Sequence, residues 1–132
     1  MKVVDSTLLI GMMRGEADAV EGASELDEEG GVATTAVNVY EVAYGVRSKA
    51  KEPPRRIDTF EGLLSNLEVL PLDRLSALRA AEVSRALESR GEGIGAFDAL
   101  VAGITLSSGA ECLVTKNVTH FKRVKGLKVE GY

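Results

Sequence analysis

The first ten residues read MKVVDSTLLI, with an apolar pair, an acid and then a second apolar run. The two β-branched valines before the acid favour a short strand. Apolar residues 8–13 favour a helix, which Ser6 or Thr7 would cap and Gly15 would end. Asp5 would then lie at the carboxyl end of the strand, where the chain passes directly into the helix. This order is typical of the first half of an α/β unit.

The rest of the chain continues this alternation of strands and helices. Apolar periodicities, capping residues and Gly or Pro breaks mark the element boundaries. They predict helices over 18–29, 36–49, 57–67, 74–89 and 96–108, with a break at Pro53-Pro54. They predict strands or extended links over 32–35, 68–72, 112–115 and 127–130, and a loop over 116–120. This pattern predicts an α/β fold whose central, mainly parallel sheet carries helices on both faces. The carboxyl ends of such strands share one edge, where ligands bind.

Composition excludes several classes of protein. The 132 residues are 45% hydrophobic and 27% charged, which fits one globular domain, 1–132, and excludes a disordered chain. One cysteine, Cys112, and one histidine, His120, exclude an internal disulfide and metal sites built from several Cys or His ligands. No apolar run is long enough to span a membrane, and Asp5 interrupts the apolar start before a signal peptide could form. We therefore expect a cytoplasmic protein.

Charge is unevenly distributed along the chain. The net charge of −4 argues against a protein that coats nucleic acid through bulk electrostatics. Residues 1–31 are strongly acidic, whereas residues 47–56 and 116–128 are rich in Lys and Arg. Each basic stretch is either a solvated surface or a site of local phosphate contacts.

Three acids follow strand ends or open helices at the predicted edge, namely Asp5, Glu41 and Asp98. Singly, each has an ordinary structural explanation: Asp5 and Asp98 as helix-cap or helix-dipole partners, and Glu41 as a solvent-facing residue. Together they form a cluster of like charge without a basic partner in the flanking sequence. Mg²⁺ or Mn²⁺, which prefer oxygen ligands, would relieve that repulsion and could activate water for phosphodiester cleavage.

Four motifs resemble those of the PIN-domain nucleases and, within that family, of the VapC toxins of type II toxin-antitoxin pairs. They read VVDSTLLI (3–10), VYEVAYG (39–45), IGAFDALVA (94–102) and LVTKNVTHF (113–121), and their order covers nearly the whole chain. The resemblance implies a three-layer α/β/α sandwich and a Mg²⁺-dependent endoribonuclease. Its catalytic and metal-binding acids would be Asp5, Glu41 and Asp98, with a metal-activated water attacking phosphorus. It also implies a cognate VapB-like antitoxin and a homodimer.

The last motif departs from the family pattern, because Asn117 stands nearest the position where many PIN domains have a fourth acid. An amide is a neutral and weaker metal ligand, which favours one bound metal over two in the free protein. Thr115 could orient water or metal through its hydroxyl, or it could bond the backbone at the strand end. We assign Thr115 and Asn117 to substrate contact or to support of the acids.

Other residues have structural interpretations. We expect His120 to pack or close a loop, and Cys112 to be buried. Tyr40 and Tyr44 are expected in the core or an interface, with base stacking as the alternative. The apolar residues of helix 57–67 face more than one side, which predicts a surface covered by a second subunit or an antitoxin segment.

Two other functions are compatible with parts of the sequence. A non-catalytic PIN-like module could bind RNA or a protein without cleavage, although clustered acids give a pure binder no advantage. A phosphotransfer enzyme could use Asp5 as its nucleophile. Phosphatases that resemble haloacid dehalogenases need a second Asp two residues later, and Thr7 occupies that position.

Overall fold

The computed structural model describes residues 1–48 and 55–132. The predicted break at Pro53-Pro54 lies outside the described residues, as does much of the basic stretch 47–56. The described elements, in chain order, are β1 (Lys2–Val4), α1 (Ser6–Arg14), α2 (Ala17–Glu28), β2 (Val32–Thr35), α3 (Ala36–Ser48), α4 (Arg55–Leu64), β3 (Glu68–Leu70), α5 (Arg74–Ser89), α6 (Ala96–Ser108), β4 (Leu113–Val114), α7 (Val118–Phe121) and β5 (Val129–Glu130).

The strands form one parallel sheet in the order β3-β2-β1-β4-β5. The chain starts in the middle of this sheet, adds β2 and β3 on one side of β1, and then adds β4 and β5 on the other. The direction of winding therefore reverses between β1 and β4, where Val4 pairs with Val114. In parallel sheets such a reversal opens a crevice outside the carboxyl ends of the two strands, and ligands bind there.

Helices cover both faces of the sheet, as predicted. Successive residues of a strand point to opposite faces, and in β1 Val3 and Val4 are both fully buried. Val3 belongs to the apolar cluster that contains Val101 of α6, whereas Val4 belongs to the cluster that contains Phe60 of α4. Burial of each such side chain contributes about 1.5–3 kcal/mol relative to exposure. These two cores hold the strand that ends at Asp5.

Helices α5 and α6 approach closely because α6 has a glycine where they cross. A Cβ atom on Gly103 would lie 2.6 Å from the carbonyl oxygen of Ser76 and 2.7 Å from the amide nitrogen of Ala80. Both are backbone atoms of a packed helix and cannot move aside independently. This contact fixes the position of α6, whose first turn carries Asp98.

Two local predictions are wrong. The N-cap of α1 is Asp5 rather than Ser6 or Thr7, because its carboxylate already accepts the free N–H groups of the first turn. Residues 116–120, predicted as a loop, contain the start of α7. That helix has four residues, which is too short for any periodicity to show in the sequence.

The exposed apolar surface differs from the predicted one. In α4, Phe60 is 4% exposed and its apolar neighbours are partly buried against the same cluster, so this helix contributes to the core. Tyr40 and Tyr44 of α3 lie outside the core, with 54% and 63% of their surfaces exposed, and Phe97 of α6 is exposed as well. No helix within the described ranges has the length and apolar character needed to cross a membrane.

Candidate active site

Asp5 lies at the carboxyl end of β1 and is 6% exposed. Its Oδ1 accepts hydrogen bonds from the backbone N–H groups of Thr7 (3.1 Å) and Leu8 (3.3 Å) and from the Thr7 hydroxyl (2.7 Å). Its Oδ2 accepts a hydrogen bond from the hydroxyl of Thr115, which follows β4. These charge-assisted hydrogen bonds offset the desolvation of a buried carboxylate. Asp5 therefore caps α1 and also bridges the crevice between β1 and β4.

A chain of side chains connects Glu41 of α3 to the end of β2. The Thr35 hydroxyl donates to Oδ1 of Asn38 (2.7 Å), and Nδ2 of Asn38 donates to the Ser6 hydroxyl (2.9 Å). Ser6 in turn donates to Oε1 of Glu41 (3.1 Å). Asn38 is 2% exposed, so its amide depends on these partners rather than on water. The chain gives Glu41 a defined orientation toward the same crevice.

Asp98, in the first turn of α6, contacts His120 of α7. Its Oδ2 lies 3.1 Å from Nδ1 of His120, and the same ring nitrogen lies 2.8 Å from Nδ2 of Asn117. Because one ring nitrogen is either a donor or an acceptor, Nδ1 donates to Asp98 when it is protonated and accepts from Asn117 when it is not. His120 therefore does more than pack or close a loop, since it supports a candidate catalytic acid.

The three acids act on one another electrostatically. Burial raises the pKa of Glu41, and the charges of Asp98 and Asp5 raise it further, against the opposing hydrogen bond from Ser6. Burial also raises the pKa of Asp98; the nearby His120 opposes this change and the charge of Asp5 adds to it. Among the described residues, no Lys or Arg forms an ion pair with any of the three acids.

Lys116 and Tyr132 border the site. Nζ of Lys116 lies 2.8 Å from Oδ2 of Asp18 and 5.3 Å from the centre of the Tyr132 ring. The Tyr132 hydroxyl is 3.3 Å from Oγ1 of Thr7. The hydrogen bond between Lys116 and Asp18 raises the pKa of the lysine and lowers that of the acid. The charge of Lys116 is thus paired outside the acidic cluster and does not neutralise it.

The donor set fits a divalent cation in its chemistry. Asp5, Glu41 and Asp98 offer oxygen atoms only, which Mg²⁺ and Mn²⁺ prefer, and cation binding would relieve their repulsion. Within residues 1–48 and 55–132, no three His, Cys, Asp or Glu side chains are already arranged to hold a metal ion. Glu41 and Asp98 are partly exposed and held by contacts to Ser6 and His120, so modest side-chain movement would suffice to change their orientation.

The PIN domain family model matches residues 2–127. The chain therefore belongs to the PIN domain family. It is similar to the tRNA(fMet)-specific endonuclease VapC of Shigella flexneri, with 28% identity over 130 residues that cover 98% of this chain and 96% of the relative. It is also 31% identical over 101 residues to Ribonuclease VapC2 of Rickettsia felis, covering 76% of this chain and 74% of that protein.

A solved structure supports the fold independently. The crystal structure of VapBC2 from Rickettsia felis, bound to a DNA fragment from their promoter, matches with a TM-score of 0.89. The match covers 99% of this chain and 98% of that chain at 23% identity. At this identity the likeness is one of fold, and it confirms the α/β architecture with a mostly parallel sheet between helices.

Sequence reasoning did not identify three supporting residues. The sequence predicts Ser6 only as a helix cap and His120 only as a residue that packs or closes a loop, and it supports no prediction for Asn38. A signal existed for two of them, because Ser6 follows Asp5 directly and Asn38 lies about one helical turn before Glu41. Polar residues beside a candidate catalytic acid are the natural candidates for its hydrogen-bond partners.

Proposed function

We propose that this chain is a metal-dependent endoribonuclease, with Mg²⁺ as the expected ion and Mn²⁺ as the alternative. It would act as the toxin of a VapBC-type pair. The observation that carries the proposal is the mutual proximity of Asp5, Glu41 and Asp98 from three separate elements, with no Lys or Arg of residues 1–48 and 55–132 paired to them. The relatives named endonuclease and ribonuclease support the same class of reaction.

Each acid would have a distinct support in the reaction. Thr115 and the first turn of α1 hold the side chain of Asp5 in place, Ser6 orients Glu41, and His120 orients Asp98. Together the acids would hold the divalent cation. When bound, this cation would make water more acidic and would neutralise charge on the phosphodiester.

Hydrolysis at phosphorus also needs a group that accepts a proton from water. Glu41 and Asp98 are the candidates for this role, because each is a partly exposed carboxylate beside the proposed cation site. Thr115 and Asn117 would contact the substrate or keep the acids in position. Asn117 is partnered with His120 rather than with the acids directly.

A non-catalytic RNA- or protein-binding module is the second candidate, and the exposed aromatic residues favour it. Tyr40 stacks on Tyr44 with 5.9 Å between ring centres, and it meets Phe97 edge to face at 5.7 Å. Exposed rings can hold RNA bases without cleaving the chain. A phosphotransfer enzyme with Asp5 as nucleophile is disfavoured, because both oxygens of this buried carboxylate already accept hydrogen bonds.

The test is a cleavage assay on purified protein with a tRNA and an unstructured RNA, in Mg²⁺, in Mn²⁺ and in EDTA. We expect cleavage with either metal and none in EDTA. Asp5→Asn and Glu41→Gln should abolish it, whereas Glu25→Gln, which removes an exposed acid of α2, should not. Cleavage that resists EDTA would refute the metal-dependent reaction, and RNA binding without cleavage under every condition would favour the binding module.

We also propose a VapB-like antitoxin as partner. A shallow apolar groove of about 110 Å³ lies between α3 and α4, lined by Ala43, Val46, Ile57 and Phe60 among others. An apolar side chain of a partner segment would occupy such a groove, and the likeness to the VapBC2 complex supports the pairing. Co-expression with the product of the neighbouring open reading frame tests it, and co-purification is the expected result.

A homodimer is proposed through a different surface from the predicted one. Leu75 and Leu78, in the first turns of α5, are 70% and 56% exposed, and Leu72, just before the helix, is 43% exposed. The spacing of three places Leu75 and Leu78 on one side of the helix, where a second copy would cover them. Sedimentation should show a dimer that Leu75→Glu converts to a monomer. A cytoplasmic location, expected from the sequence, stays a prediction.

A further inference from the structure

A basic groove lies between α5 and the segment that follows α7. It has a volume of about 420 Å³, and its walls include Arg79 of α5, Arg90 just after that helix, and Arg123 and Lys125 of the segment 122–127. Its floor is apolar and includes Val83, which belongs to the core. The groove is therefore a built depression with charged walls, in a protein whose net charge is −4.

The positive charge in the groove is only partly balanced. Arg79 pairs with Glu82 at 3.2 Å, and Arg90 is 3.7 Å from Glu92. These pairs are solvent-exposed and therefore weak, so a phosphate could displace the acids at little cost. Arg123 and Lys125 have no acidic partner within the part of the chain that the structure describes.

One wall of the groove follows directly on α7, the helix that carries His120. The backbone N–H of Arg123 donates to the carbonyl of His120, whose ring contacts Asp98. The guanidinium of Arg90 donates to the carbonyl of Arg123 at 3.2 Å, which ties the end of α5 to the same segment. A polyanion held in the groove would thus lie beside the segment whose His120 contacts Asp98.

We propose that this groove binds the phosphate backbone of an RNA chain on one side of the cleavage site. The inference rests on the proposed ribonuclease function. Guanidinium groups suit phosphate oxygens because they offer several N–H donors in a fixed plane. Four cations on the two sides of the groove would hold phosphates without reading base identity, so the groove would position RNA and leave the choice of sequence to contacts nearer the acids.

The experiment compares two double variants that each remove two positive charges. Arg79→Gln/Lys125→Gln changes the groove, and Arg85→Gln/Lys128→Gln changes exposed cations that do not line it. Arg90 and Arg123 are left intact because their side chains bond the backbone. Binding of a labelled tRNA and of an unstructured RNA is measured in EDTA, which prevents metal-dependent cleavage, over a range of KCl concentrations.

Each phosphate contact contributes about 0.7 to 0.9 to the slope of log affinity against log salt. We expect the groove variant to lose about 1.5 from this slope and to bind about tenfold more weakly at 0.1 M salt, while the matched variant stays close to wild type. Equal binding by the two variants, or a wild-type protein that binds no RNA, would overturn the proposal.

Cleavage in Mg²⁺ is measured separately, so that the two proposals can fail independently. Groove-dependent binding without any cleavage would support the groove and refute the nuclease. Cleavage by wild type together with equal kcat/KM for both variants would support the nuclease and refute the groove. If both hold, kcat/KM of the groove variant should fall by about the same tenfold factor as its affinity.

Discussion

Ser6→Ala removes the hydroxyl that links Asn38 to Glu41. The hydroxyl of Ser6 accepts from Nδ2 of Asn38 at 2.9 Å and donates to Glu41 at 3.1 Å. Alanine at the first position of α1 leaves the helix and its Asp5 cap intact, since the cap bonds Thr7 and Leu8. Any effect of the substitution therefore reports on the lost hydroxyl.

The size of the effect follows from burial. Asn38 is 2% exposed, so its Nδ2 would lose its partner with little access to water, and an unsatisfied buried donor costs about 1–3 kcal/mol. Glu41 is partly exposed, and water can replace the lost donor there. For a chain of 132 residues, an unfolding entropy of about 2.1 cal/mol/K per residue makes 2 kcal/mol equivalent to a drop of about 7 °C in Tm.

Thermal unfolding in EDTA measures this loss, with Ser24→Ala on the exposed side of α2 as the control. The control should change Tm by no more than about 2 °C, since surface substitutions stay within about 0.5 kcal/mol. The reasoning fails if Ser6→Ala melts like the control.

Three further predictions concern other parts of the site and its support. Asp98→Asn should leave Tm in EDTA no lower than that of wild type, because the substitution removes a desolvated charge that the other acids repel. The same variant should lose RNA cleavage and most of the rise in Tm on adding Mg²⁺. A destabilised but active variant would contradict the assignment of Asp98. Gly103→Ala should lose about 1–3 kcal/mol in urea unfolding, since its methyl group would overlap backbone atoms of α5, whereas Gly62→Ala, which meets nothing within 4 Å, should be neutral or slightly stabilising. His120→Ala should lower kcat with little change in Tm, because its contacts to Asp98 are partly exposed; an unchanged kcat would show that Asp98 needs no support from the ring.

Elements with local signals were predictable from the sequence. The strand Val32–Thr35 is observed with the predicted bounds, and α5 begins at Arg74 as the cap at Asp73 indicates. These boundaries are set by neighbours in the chain, through turn glycines and a side chain that accepts the first free N–H groups. The close approach at Gly103 was not predictable, because it depends on a helix that lies more than twenty residues away in the sequence.

The candidate site shows the same division. The acids could be chosen from the sequence by type and by their place at strand or helix ends, because parallel strands bring those ends to one edge. The hydrogen-bond partners of these acids could not be predicted from the sequence, since the contact from Ser6 to Glu41 spans 35 residues and depends on how α1 packs against α3. The exposure of Tyr40 and Tyr44 could not be predicted either, because an apolar stripe on a helix does not indicate which other element of the fold covers it.

Asp5 is both a helix cap and a proposed metal ligand, so its structural and functional roles are compatible. Oδ1 serves the N-terminus of α1 and Oδ2 accepts from Thr115 across the crevice, so one carboxylate both begins a helix and holds two strand ends together. Asn is also an effective N-cap, and it keeps an oxygen for the first turn while removing the charge that a cation would need. Ala removes both. Asp5→Asn is therefore the variant that tests chemistry, whereas a loss of activity in Asp5→Ala would not distinguish a missing ligand from a displaced helix.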